Sequence, residues 1–270
     1  MGGIELQGAV VMITGARGGI GLALADAFVN AGATVVSTDL AGRRADMELN
    51  VTDAAATAAV MRRIVDEHGR LDIVIANAGI GVAGAVEDIE AAGWQRTIDV
   101  NIRGTVNTVC AALPVLRAGG GGSIVLIASL AGLAGTPLLT PYAMSKSAVV
   151  GLGESLRPEA ARHGIGVTVV CPGPVETPLL DEIAATSGVS VRRYLTAAAG
   201  APITAAALAD AVVDGVSRNR ALVVPGRAAL LWRINRLFPR VVRRVSAAGM
   251  RKELHAAGRD HTDRPLSAAN

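Results

Sequence analysis

Along most of the chain, short runs with apolar, β-branched centres alternate with longer stretches of helical length. The runs GAVVMIT (from Gly8), ATVVSTD (from Ala33), LDIVIA (from Leu71), SIVLIAS (from Ser123), GVTVVC (from Gly166) and ALVVPG (from Ala221) are continuous rather than alternating. Continuous short runs fit strands buried on both faces. Windows such as Asp53 to His68 and Thr140 to His163 read as the helices between them. Strand–helix–strand repetition predicts an α/β fold, a Rossmann-like doubly wound parallel sheet in one domain, with ligands at the carboxyl ends of the strands. Ala118 to Ser123 (AGGGGS) predicts a turn, because a strand and not a helix follows it.

The pattern changes after Val224. Leu230, Ile234, Leu237, Val241 and Val245 fall on one helical stripe, and Arg233, Arg236, Arg240, Arg243 and Arg244 fill the other face. Pro239 is expected to kink or divide this helix, and the stretch from Lys252 onward is polar. The organisation expected is therefore a dinucleotide-binding and catalytic domain over 1–226, then a basic amphipathic helix and polar tail over 227–270.

Composition narrows the class. The 270 residues are 51% hydrophobic and 18% charged, which excludes a disordered chain. No run approaches the roughly 18 apolar residues of a membrane-spanning helix. The opening MGGIELQG has an acid where a secretory signal needs an apolar run. Two cysteines, Cys110 and Cys171, cannot form a disulfide framework, which points to a reducing cytoplasm. Cys110, in an apolar helical run, reads as core, and Cys171 as a buried structural thiol. The four histidines show no ligand spacing, so no metal is expected.

The net charge of +3 conceals an asymmetry. Gly215 to Lys252 holds ten bases and no acid, and subtracting that +10 from +3 leaves the other 232 residues at −7. Basic residues without a nucleic-acid-binding motif do not argue for nucleic acid. The basic helix has the form of an interfacial anchor, and its other reading is an extra helix packed on its own domain or on a second copy. Peripheral contact with the inner membrane surface thus stands beside a plain cytoplasmic location.

Thr14 to Gly21 (TGARGGIG) follows the first strand and opens a helix. Glycines there let backbone approach a pyrophosphate, and the helix N-terminus offers free N–H groups. Asp39 ends the second strand, 18 residues beyond Gly21. A carboxylate at that point accepts ribose hydroxyls and repels a 2′-phosphate, which favours NAD over NADP. Arg17, Arg43 and Arg44 lie nearby and supply the argument for the opposite preference. Tyr142 and Lys146 are four residues apart on a helix start and so share a face. An ammonium beside a phenol lowers its pKa, which suits the phenol to proton exchange with an alcohol or carbonyl oxygen. The chain has only two tyrosines, and Lys146 is one of two lysines. Ser129, ending the fourth strand, offers a hydroxyl at the same sheet edge.

With these motifs in this order, the stretch from about Leu6 to Gly226 resembles the short-chain dehydrogenases/reductases of the compact, single-domain branch. The supporting segments are TGARGGIG, Ala76-Asn77-Ala78-Gly79, Asn101 in VNIRG, Ser129, Tyr142 with Lys146, and Pro172-Gly173-Pro174-Val175-Glu176-Thr177. The resemblance implies an oxidoreductase that moves a hydride between a nicotinamide cofactor and a secondary alcohol or ketone. It implies Tyr142 as general acid/base, Lys146 on the nicotinamide ribose, Ser129 on the substrate oxygen and Asn101 anchoring a water-mediated proton relay. The cofactor would meet Gly15, Arg17, Gly19, Ile20, Gly21, Asp39, Asn50, Val51, Asn77, Ala78, Gly79, Tyr142, Lys146, Pro172, Gly173, Val175 and Thr177. Two positions depart from the family pattern. Ala76 replaces an asparagine, and Asn50 replaces an aspartate, with an amide oxygen still able to accept from adenine. Homodimers or homotetramers are usual in the family.

The apolar, small-residue segment from Leu130 to Leu139 favours an apolar substrate. Tyr194 either touches substrate or packs, and Arg192 and Arg193 are either solvated or set against an anionic substrate group. The alternatives are an NADPH-dependent carbonyl or oxoacyl reductase and, in another class, a non-catalytic membrane-surface nucleotide-binding scaffold.

Overall fold

The computed structural model describes residues 2–180 and 190–258. All six expected strands form: β1 (Val10–Thr14), β2 (Thr34–Asp39), β4 (Ile73–Ala76), β5 (Gly122–Ile127), β6 (Ile165–Val170) and β9 (Leu222–Val223). A seventh, the two-residue β3 (Met47–Glu48), extends one edge. The seven are parallel in the order β3-β2-β1-β4-β5-β6-β9. A separate two-stranded pair joins β7 (Val175–Glu176) to β8 (Ile203–Thr204).

Continuous apolar strands are explained by what covers them. Val10, Met12, Val74, Ile124, Leu126, Val167 and Val169 face one core, shared with Met61, Val109 and Leu116 of α2 (Ala54–His68) and α4 (Gly104–Ala118) and with Val149 and Leu156 of α5 (Thr140–Ala161). Val11, Ile13, Ile73, Ile75, Val125 and Val170 face the other, with Leu24 and Phe28 of α1 (Gly19–Asn30) and Leu208 and Val212 of α7 (Ala205–Ser217). Period-two side-chain alternation thus feeds two layers at once. Helix ends follow local chemistry: the Asp53 carboxylate accepts from Ala56 N–H to start α2, and Gly69, at φ +75°, stops it.

From β1 the chain runs outward through β2 and β3, then returns across β1 to β4, β5 and β6. At that reversal the loops leaving β1 and β4 diverge, and a crevice opens at the carboxyl edge of the sheet. Between α3 (Ala91–Thr97) and α4 lies a π-helical turn, Ile98–Arg103, which holds Asn101. α6 (Val191–Ala199) lies beyond that carboxyl edge.

The C-terminal region settles two points that the sequence left open. It forms two helices, α8 (Ala228–Leu237) and α9 (Pro239–Ala256), divided at Phe238 because Pro239 lacks the N–H needed to continue a helix. The stripe that the helical period picked out is the outward one. Leu230, Ile234, Leu237, Val241 and Val245 are exposed, while Leu231 and Val242 turn inward. No helix among the described residues is long and apolar enough to cross a membrane. Cys110 is likewise exposed rather than core, on the outer stripe of α4 with Val106 and Pro114. Cys171 is buried.

Candidate active site

Thr14 is the joint between β1 and β4. Its hydroxyl donates to Ile75 O and accepts from the N–H groups of Asn77 and Ala78 at 3.0 and 3.1 Å. The Asn77 amide donates to Thr14 O and Gly15 O at 2.9 and 3.0 Å, locking the glycine turn to the end of β4. These bonds hold without the asparagine that Ala76 replaces. The turn itself demands glycine. Gly15 has φ +61°, and a Cβ there would stand 2.8 Å from Ala78 Cα; at Gly21 it would stand 2.3 Å from Gly15 O.

α1 begins at Gly18 with no side-chain cap and no acid in its first turn. Its leading N–H groups thus lack a side-chain cap among the described residues, beside the cleft that Ile20 lines, the arrangement that receives an anion. Asp39, 8% exposed, stands beside this turn with Oδ2 accepting from Arg17 N–H at 2.9 Å and Oδ1 from Leu40 N–H at 2.8 Å. A glycine cradle, an uncapped helix start and a carboxylate at the end of β2 fit the pyrophosphate and adenosine ribose of a dinucleotide. The adenine end differs from expectation. Asn50 Oδ1 already accepts from Thr52 N–H and Thr52 Oγ1, so the oxygen assigned to adenine is engaged. The Val51 side chain is buried over Gly104 and its carbonyl accepts from Asn107, leaving only its backbone N–H for a ligand.

One cleft collects Ile20, Asn77, Gly79, Ser129, Tyr142, Lys146, Pro172, Gly173, Val175 and Thr177. Lys146, only 5% exposed, donates from Nζ to Ile127 O at 2.8 Å and lies 5.6 Å from the Tyr142 ring centroid. Burial lowers its pKa to about 8, opposed by a charge effect from Cys171. Burial also raises the Tyr142 phenol above its ordinary value; the hydrogen bond with Ser129 pulls it down and Cys171 adds to the rise. The lowering expected from Lys146 does not appear among the influences on the phenol, of which burial is the largest. The apolar cleft penalises the phenolate more than any neighbour rewards it. Burial likewise pushes the Cys171 thiol up to about 12, so it stays protonated behind the site.

Asn101 is fully buried. Its Nδ2 donates to Ile80 O and Ser145 Oγ, and Oδ1 accepts from Ile80 N–H, all at 2.9 Å. Both amide hydrogens are committed, so any further contact falls to Oδ1. A Cβ on Gly79 would stand 3.3 Å from that oxygen and 3.4 Å from Lys146 Nζ, so the two polar groups flank one glycine.

Tyr194 packs on Gly249, the second of the two readings considered for it, and its side chain also lines the cleft. Burial raises its pKa, opposed by a hydrogen bond with Ser246. Arg192 and Arg193 do not wait for an anionic substrate. Arg192 makes a two-pronged pair with Glu176, and Arg193 another with Glu253. Leu231, Val242 and Ser246 also line the cleft, and no sequence motif marked them.

A sequence profile described as short chain dehydrogenase matches residues 9–188. The 3-oxoacyl-[acyl-carrier-protein] reductase of Thermotoga maritima is 33% identical over 195 residues, covering 67% of this chain and 79% of its own. The D-beta-hydroxybutyrate dehydrogenase of Rhizobium meliloti is 32% identical over 188 residues, covering 63% and 73%. The solved structure of ElxO with NADP bound superposes with a TM-score of 0.71 at 25% identity, covering 81% of this chain and 97% of that one.

Proposed function

Given that the chain belongs to the short-chain dehydrogenase family and is a nicotinamide-dependent oxidoreductase of alcohol and oxo groups, we propose that Tyr142 is its general acid/base, NAD its cofactor and an apolar secondary alcohol or ketone its substrate. The observation that carries the reading is the meeting of Tyr142, Ser129 and Lys146 in an apolar cleft beside the glycine turn.

When bound, the nicotinamide supplies or accepts the hydride. The protein's part is to orient the substrate and manage one proton. Burial keeps Tyr142 protonated, the form that donates to a developing alkoxide during ketone reduction. In the reverse direction the same oxygen, as the phenolate, takes the alcohol proton. Ser129 holds the substrate oxygen against the phenol. Lys146, fixed by Ile127 O, carries the charge that supports the phenolate once the cleft is occupied. Asn101 acts as a positioning residue, through Ile80 and Ser145, and the Pro172 to Thr177 segment, which lines the cleft, would hold the carboxamide of a bound nicotinamide. Leu139, Leu179, Leu195 and Leu231 support the apolar substrate. Exposed Val106, Cys110 and Pro114 of α4, with Met144 of α5, support assembly into a homodimer or homotetramer.

Tyr142→Phe is expected to cut turnover by about 10²- to 10⁴-fold while leaving the melting temperature unchanged. A panel of alcohols and ketones followed by nicotinamide absorbance checks it, and full activity in the variant would end the assignment. For the cofactor, Asp39 carries the NAD reading. NADH should bind more tightly than NADPH, and Asp39→Ala should weaken NADH by roughly 10- to 100-fold, the worth of hydrogen bonds to a charged acceptor. A wild-type preference for NADPH would instead favour the exposed Arg43 and Arg44 as phosphate ligands.

A further inference from the structure

The inner face of α8 and α9 is accounted for. Leu231, Val242 and Ser246 wall the cleft, and Asn235 Nδ2 donates to Leu133 O at 3.2 Å. The outer face is not. Leu230, Ile234, Leu237, Phe238, Val241 and Val245 are each between 38% and 71% exposed. These six are half of the twelve exposed large hydrophobics among the described residues, gathered within positions 230–245. A patch of this kind marks a contact surface.

Charge selects the partner. Arg233, Arg236, Arg240, Arg243, Arg244, Arg251 and Lys252 are exposed on the same two helices. None of them forms an ion pair among the described residues. Glu253, the one acid on α8 and α9, is buried and tied to Arg193. A second copy meeting this face across a two-fold axis would set arginines against arginines. An anionic lipid surface answers both features, with headgroup phosphates for the guanidinium groups and the acyl boundary for the aliphatic ones.

We propose that α8 and α9 dock on an anionic phospholipid bilayer, and that the cleft behind them takes an apolar alcohol or ketone dissolved in that bilayer. The docking stands on exposure and charge; the substrate source rests on the oxidoreductase reading of the cleft. One helix pair is then both the lipid-facing surface and a wall of the substrate site.

The test is co-sedimentation of the full chain with vesicles of phosphatidylglycerol and phosphatidylcholine in equal parts, against vesicles of phosphatidylcholine alone. The protein is expected to pellet with the first and remain in solution with the second. Leu237→Gln with Phe238→Gln, and separately Arg240→Gln with Arg243→Gln and Arg244→Gln, should weaken partition, by about fivefold per arginine. None of these five residues lines the cleft, so turnover of a water-soluble ketone without vesicles should match wild type. Turnover of a long-chain ketone carried in the anionic vesicles should fall with partition. Wild-type protein left in solution by anionic vesicles, or undiminished partition of both variants, would overturn the docking. So would a loss of oligomeric mass in the variants without lipid, which would give the face to a second copy. Equal turnover of the vesicle-borne ketone by all three proteins would overturn the substrate source. If wild type turned over no ketone at all, the oxidoreductase reading would fail, with vesicle binding still read independently.

Discussion

Lys146 holds its ammonium against the Ile127 carbonyl in a cleft too dry to favour a charge, and its pKa falls to about 8 as a result. The folded chain therefore releases this proton before the unfolded chain does. Between about 8 and the ordinary lysine value of 10.5, the unfolded state binds more protons. Stability from this group consequently rises with pH across that window, and below it the burial cost is fully felt. With only Lys146 and Lys252 in the sequence, the titration can be read directly. Carbon-13 labelling of lysine should give two side-chain resonances, one titrating near pH 8 and absent in Lys146→Met. If that resonance held its charge well past pH 9, the cleft would be wetter than its lining implies. The pairing of Tyr142 with Lys146 was legible from spacing alone, but the direction of the tyrosine shift was not. Spacing reports proximity, whereas desolvation is set by the side chains that arrive from elsewhere.

At the scale of elements, the strands were legible because burial on both faces leaves a run of apolar residues whatever the topology. β3, β7 and β8 were not, since two residues carry no period and exist as strands only through pairing. The outer stripe of α8 and α9 was legible as amphipathic, yet period alone cannot say which of two apolar stripes meets the protein. The contact of α9 with α6 rests on Arg193, whose guanidinium grips the buried Glu253 carboxylate at 2.6 to 3.1 Å. Removing the arginine strands a carboxylate in a dry place. Arg193→Ala should therefore raise amide exchange along Pro239–Ala256 while exchange in β1, β4, β5 and β6 stays slow. Unchanged protection of α9 would mean that Gly249 packing on Tyr194 suffices.

For the whole molecule, the site draws on the loops after β1, β2, β4, β5 and β6, so a dinucleotide bound there would bridge both halves of the sheet. A ligand that meets only the folded state adds stability by mass action. At about a hundredfold excess over its dissociation constant, NADH should raise the melting temperature by roughly 5–10 °C. The absence of any shift would count against the glycine turn as a cofactor site. The sequence by itself determined the strand–helix alternation, the glycine turn, Asp39 and the Tyr142–Lys146 pair, because each is written in neighbouring residues within a turn or two of chain. Tertiary structure alone decided that Leu231, Val242 and Ser246 wall the cleft, that Arg192 and Arg193 are already paired, and which face of α8 and α9 is left outward. Those outcomes depend on contacts between segments dozens of residues apart, where burial and partners are fixed only once the chain has closed on itself.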